Sequence, residues 1–407
     1  MDTILDYIRW RGDLPLSHDG LRDADALVLS LLTYLDLKPI WEERPEPLRL
    51  RDCRKMIDEG TARILITGSG FHYEEIIAQA IASRRFGELV ISDYVDQIRE
   101  DPPLQFSAMC FHDESGLSFM GFRGTDDTLA GWKEDFMIGF TRTEAQELAL
   151  RYADEHLRSG RRWFLGGHSK GANLALFAGC YLSDTVLEQV EGFYLLDGPG
   201  LCPEVTDVST VERIDSRCRR IIPSFSVIGK LFEPAVSDTR IVRSTVSGIL
   251  QHSLASWGID HGELAVCEAN NAVSRWISGA VREWIGNISQ ENRVVFIREL
   301  FDALSSGGAR TVADLDKTGY LGREQILRRL LESSDVTRKI IADLPVQAVG
   351  QFISAASHFA GGKQRIAAGG PEAAPEEEAE TAEQTELPFL EDSPLPLRET
   401  ADKETAL

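Results

Sequence analysis

The sequence predicts an α/β fold: a mostly parallel central sheet covered by helices, followed by a helical appendage. Three observations predict it. Strand-like runs alternate with helical ones through residues 104–244, and strands separated by helices pair in parallel. A glycine-flanked serine stands between an apolar strand and an apolar helix. Strand signals then stop, and helix periodicity takes over in residues 263–360.

The elements follow in order. Residues 104–112 (LQFSAMCFH) and 117–122 (LSFMGF) read as strands about the turn Asp113–Gly116. Residues 142–159 read as an amphipathic helix. WFLGG is a short apolar strand, and Ala172 to Tyr181 is apolar on nearly all sides, as a buried helix is. GFYLLDGPG, RRIIPSF and TRIVRS are three more strand-like runs. Further on, Val294, Ile297, Phe301 and Leu304 share one helical stripe, as do Ile326, Leu330 and Ser333 with Leu327 beside them. The expected division is a sheet domain over 1–262, a helical appendage packed on it over 263–360, and a disordered acidic tail over 361–407.

Composition bounds the function. The 407 residues are 43% apolar and 27% charged, within the globular range. No run of eighteen apolar residues exists, so no membrane-spanning helix is expected. The opening MDTILDYIRWRGDLPLS lacks the basic start and long apolar core of a signal peptide. The expected compartment is the cytoplasm, and the six scattered cysteines are expected to be reduced and mostly buried. The net charge is −22, and the Glu-rich stretch from Pro371 onward carries −10 of it (twelve acidic against two basic residues). So acidic a chain is not built for nucleic acid, whose affinity comes from clustered Lys and Arg.

The strongest chemical signal is Gly167-His168-Ser169-Lys170-Gly171. This G-x-S-x-G follows a strand and opens a helix, the setting a nucleophile elbow requires. The turn presents Ser169 with its hydroxyl exposed, and the helix N-terminus supplies amide donors and a positive dipole end. Serine needs a base. In α/β-hydrolases the acid and then the histidine follow the serine, which leaves His252, His261 and His358. His252 in GILQHSLASW is favoured, His261 is the alternative, and His358 lies too late in the helical part. His168 is adjacent to Ser169 but points elsewhere in such a turn, as a packing or oxyanion-side residue.

The acid that orients the histidine is expected at a strand end between Ser169 and His252. Asp197 closes a strand before Gly198-Pro199-Gly200, although aspartate there also suits a plain turn. Asp238, before TRIVRS, is the alternative; Asp207 and Asp215 are less well placed. For the oxyanion, Thr125 in FRGT and the amide of Lys170 are the candidate donors. Arg123 and Asp135 suit a structural ion pair. Trp132, Phe136, Met137 and Phe140 fall at helical spacing and suit an acyl pocket or core packing equally. No phosphate loop, H-E-x-x-H or paired C-x-x-C is present, and Gly68-Ser69-Gly70 lacks the third glycine of a dinucleotide fingerprint. No metal or other cofactor is expected.

FRGTDDTLAGWKEDF and GGHSKGANLA resemble the corresponding segments of class 3 (fungal-type) lipases. A closer resemblance is to the Mbeg-like family of bacterial lipase-related proteins. It runs from DYIRWRGDL through FRGTDDT, GHSKGANLA and LLDGPG to SVIGKLF and QHSLASW, roughly residues 1–260. The resemblance implies an α/β-hydrolase fold with Ser169 as nucleophile, His252 as base and Thr125 as an oxyanion residue. It departs at the acid: where class 3 lipases carry Asp in a D-x-V-P segment, this chain reads Ser226-Val227-Ile228-Gly229. Either Asp197 takes that role from the preceding strand, or the site has no carboxylate. The expected function is a serine hydrolase cleaving a small-molecule or lipid ester. The alternative is a degenerate hydrolase serving as a binding or scaffold protein; a peptide hydrolase is a weaker third.

Overall fold

In a computed structural model, nine strands lie side by side in the order in which the chain makes them. They are β1 (Leu48–Arg49), β2 (Val90–Arg99), β3 (Leu104–His112), β4 (Leu117–Phe122), β5 (Arg162–His168), β6 (Val190–Leu196), β7 (Cys218–Pro223), β8 (Thr239–Val242) and β9 (Val266–Cys267). The structure describes residues 1–43, 45–66, 71–125, 129–138, 141–158, 160–201, 206–226, 228–232, 236–267, 287–310 and 319–342. The expected tail over 361–407 lies outside them, as do His358, Phe140 and the Gly68-Ser69-Gly70 segment.

The sheet is mixed. Strands β4 to β8 run parallel. The pairs on either side, β1 to β4 and β8 with β9, are antiparallel. The expectation of a mostly parallel sheet therefore holds for the centre. Its first margin is antiparallel because β3 and β4 are joined by the tight Asp113–Gly116 turn, too short for a crossover.

Period-two alternation on β3 and β4 splits the apolar residues between two cores. Met109, Phe111, Leu117 and Phe119 enter one core with the helix α1 (Asp23–Leu32). Phe106, Ala108, Cys110, Met120 and Phe122 enter the other. There they meet α3 (Glu144–His156) and α4 (Lys170–Tyr181), the expected amphipathic and apolar helices. Between β4 and α3 lies α2 (Leu129–Ile138). Both faces of the sheet are thus covered, as continuous apolar strands require.

The late helices are α5 (Gln290–Ser306), α6 (Gly319–Leu331) and α7 (Asp335–Ala342). Phe296, Ile297 and Phe301 of α5 and Ile340 of α7 form a third apolar cluster with Leu129 of α2. The Leu129 amide donates to Arg310 O at 2.9 Å, and Lys133 pairs with Asp302 at 3.1 Å. The expected stripe of α6 is only partly used: Ile326 and Leu330 are half-buried, and Leu327 beside them is exposed. No described helix is long and apolar enough to cross a membrane.

Candidate active site

Five consecutive parallel strands deliver the site. FRGT follows β4, Ser169 follows β5, Asp197 follows β6, Ser226 lies beyond β7 and His252 beyond β8. Because β4 to β8 are parallel, their C-terminal ends share one edge, where open α/β sheets place their chemistry.

The elbow is built on strain and close approach. Ser169 takes φ 57° and ψ −123° between β5 and α4, a backbone conformation costly for any residue with a Cβ. The flanking glycines are required by space. A Cβ on Gly167 would lie 2.4 Å from Phe122 O, and one on Gly171 2.1 Å from the same oxygen. The end of β4 therefore presses directly on the elbow. Gly124 continues this contact: a Cβ there would meet the Tyr34 hydroxyl at 2.3 Å and His168 O at 2.6 Å. Thr125 follows it and is half-buried.

The His252 imidazole places Nδ1 2.7 Å from Asp197 Oδ2. Asp197 is 1% exposed and has φ 43°. An N–H on Nδ1 donates to the carboxylate, which leaves the Nε2 lone pair able to accept a proton. Ser226 Oγ donates to the other carboxylate oxygen, Oδ1, at 2.5 Å. A Cβ on Gly229 would lie 2.3 Å from that Oδ1, so glycine there makes room for the acid. His252 ends a short 3₁₀ turn, Gly248–His252, pinned by its neighbour Gln251. Gln251 Oε1 accepts from Ser224 Oγ and the Phe225 amide, and Gln251 O accepts from Trp257 Nε1.

His168 packs its ring 4.4 Å from that of His252, centroid to centroid, and its Nε2 donates to His252 O at 2.9 Å. Burial, and then the neighbouring His252, holds His168 well below the usual histidine range, so it is neutral. With Nε2 protonated, the buried Nδ1 carries no proton. This contact brings His252 beside the elbow. Among the described residues Ser169 and His252 share no hydrogen bond; such contacts are commonly long before substrate binds.

Lys170 turns its side chain inward. Its Nζ lies 2.8 Å from both Gln105 Oε1 and Glu134 Oε2.

The alternatives lie elsewhere. The His261 side chain is 94% exposed and pairs with Asp260. Asp238 pairs with Arg219 and Arg240 and precedes β8, at the opposite edge from the elbow. Asp207 caps a surface helix, and Asp215 accepts from the Ser237 amide. Arg123 is fully buried and pairs with Asp96 at 2.7 Å. Asp135, the partner expected for it, has a side chain outside the described residues, as do Trp132 and Phe136. Met137 packs against the third apolar cluster.

Several residues here carried no sequence signal of their own. Ser226 stood out only as a departure from the lipase pattern. Glu134 and Gln105 had no signal at all, since a lone acid or amide on an apolar element predicts no partner. Among the described residues, Asp93, Cys110 and His112 have the donor types and spacing of a metal cluster. Both His112 nitrogens are engaged by Ser92 and Ser118 hydroxyls, which closes them to a metal ion.

Among solved structures, the crystal structure of M37 lipase matches at 13% identity and a TM-score of 0.32, over 52% of this chain and 70% of that one. The native Rhizomucor miehei lipase propeptide complex matches at 16% identity and a TM-score of 0.32, over 60% and 70%. Scores this low carry neither the fold nor the site across. No curated protein matches the chain. The Mbeg1-like family model matches residues 80–302. That span takes in β2 to β9, Ser169, Asp197, Ser226 and His252, more than half of the sequence, and the chain belongs to the Mbeg1-like family.

Proposed function

We propose that the protein is a serine hydrolase of the α/β-hydrolase type, cleaving carboxylic esters through an acyl-enzyme. The observation that carries this reading is the 2.7 Å contact between Asp197 Oδ2 and His252 Nδ1, on the same sheet edge as a serine held at φ 57°. His252 Nε2 takes the Ser169 proton as Oγ attacks the ester carbonyl. The amides of Lys170 and Thr125 bind the oxyanion. His252 then returns the proton to the leaving alkoxide, and the alcohol departs. Water attacks the acyl-enzyme with His252 again as base, releasing the acid and restoring Ser169. Asp197 orients the ring and balances the imidazolium.

The competing reading, a degenerate hydrolase used as a scaffold, drew support from the serine at 226. The Ser226–Asp197 hydrogen bond gives that serine a place beside a carboxylate that reaches His252, so serine at 226 does not by itself favour the scaffold. A fluorophosphonate probe separates the two readings. Labelling of the wild type with loss of fluoride, absent in Ser169→Ala, is expected. No labelling from pH 6 to 9 overturns the hydrolase.

A further inference from the structure

Lys170 carries an amide that the ester-hydrolase reading assigns to the oxyanion hole, yet its side chain runs the other way. It is 1% exposed and pairs with Glu134, 2% exposed, at 2.8 Å. Gln105 completes the group. Its Oε1 accepts from Lys170 Nζ, its amide donates to Glu134 Oε2 at 2.8 Å, and its Nε2 donates to Gly124 O at 3.3 Å. Four elements are joined in this way: β3 through Gln105, the FRGT loop through Gly124, α2 through Glu134 and α4 through Lys170.

We propose that Lys170, Glu134 and Gln105 are a positioning brace for the oxyanion hole. The brace rests on the ester-hydrolase reading. It fixes the Lys170 amide by anchoring that residue's own side chain. It fixes the Thr125 loop by holding the carbonyl of the preceding Gly124. Both donors then stand in place before charge develops on the substrate, and preorganisation of this kind is where oxyanion stabilisation gains its strength.

Stability alone does not account for the group. Burying an ammonium and a carboxylate costs several kcal/mol each in desolvation, and an apolar pair of similar volume commonly does as well or better. Glu134 Oε1 is also buried and accepts no hydrogen bond among the described residues. An apolar pair would hold α2 on α4 as well. A pair serving to set two amides needs the fixed length and direction of a charged hydrogen bond, which packing does not supply.

The test is the double variant Lys170→Met/Glu134→Gln, close in shape and free of charge, with Gln105→Leu as a second variant that leaves the ion pair intact. The readouts are melting temperature, kcat and KM on a p-nitrophenyl ester, and inhibition by an alkylboronic acid, which becomes a tetrahedral anion on Ser169. Expected are an unchanged or higher melting temperature, KM within about twofold, and kcat and boronate affinity both lower by roughly 10- to 100-fold. Unchanged kcat in folded variants overturns the brace. A fall in kcat matched by a collapse of melting temperature in both variants also overturns it, making the group structural. A wild type that neither labels with fluorophosphonate nor turns over ester overturns the hydrolase reading itself, and that failure shows before any variant is made.

Discussion

Ser226 Oγ donates to Asp197 Oδ1 at 2.5 Å, while His252 Nδ1 holds the other oxygen of the same carboxylate. One carboxylate, placed just beyond β6, is thus held by a serine beyond β7 and by a histidine beyond β8. The contact is short because β6 and β7 are neighbours and parallel, so residues just beyond their C-terminal ends lie at one sheet edge.

Asp197→Asn is expected to lower kcat by about 10⁴-fold, because an amide beside Nδ1 favours the wrong tautomer. Asp238→Asn should leave kcat unchanged. It breaks half-exposed pairs with Arg219 and Arg240, at a cost of at most about 1 kcal/mol. Ester turnover and a denaturant melt of each variant check this, and a reversal of the two would assign the acid to Asp238.

Ser226→Ala removes a hydrogen bond to a buried charge. We expect about 1.5–3 kcal/mol lower stability and a smaller fall in kcat than that of Asp197→Asn. Ser226→Asp should be worse on both counts, since two carboxylates in contact cannot both ionise cheaply. Urea unfolding with parallel ester assays would measure both.

Ser169→Gly is expected to abolish fluorophosphonate labelling and yet raise the melting temperature. Relief of the φ 57° backbone is worth about 1 kcal/mol or more, the usual sign of strain held at a functional position. A melting temperature below that of the wild type would show that Ser169 is not strained.

Stability should fall as pH falls below about 6.5, the ordinary histidine pKa. Burial, with Arg161 nearby, pushes His112 down to about 4, and burial holds His168 well below its usual range. For both, the unfolded chain binds the proton first. Folding stability is therefore fully present above about 6.5 and is lost from there down to the folded pKa, at about 1.4 kcal/mol per pH unit for each histidine. Urea midpoints at pH 7.5, 6 and 5 test the slope, and His112→Gln should flatten it.

The elements legible in the sequence were those that chain-local physics dictates. The β3–β4 hairpin, the strand into Ser169 and the apolar α4 follow from period-two and buried-helix patterns and a four-residue turn. Their observed bounds, Arg162–His168 and Lys170–Tyr181, extend the expected ones by a residue or two. The stripe on α6 was less legible: Ile326 and Leu330 are only partly buried and Leu327 beside them is exposed, because periodicity marks a face without saying what covers it.

The sequence by itself determined the elbow. Glycines at 167 and 171 around Ser169, between a strand and a helix, are a pattern local enough to be read from the chain, and the end of β4 packing against both positions shows why a side chain is excluded there. Only the tertiary structure decided which carboxylate meets His252, fifty-five residues beyond Asp197, and that Ser226 and the Lys170–Glu134–Gln105 group stand around the site. Those contacts join side chains from separate elements. Their distances are set by the order and direction of β3 to β8 in the sheet, and a polar residue's local pattern carries no record of the neighbour that sheet order will bring to it.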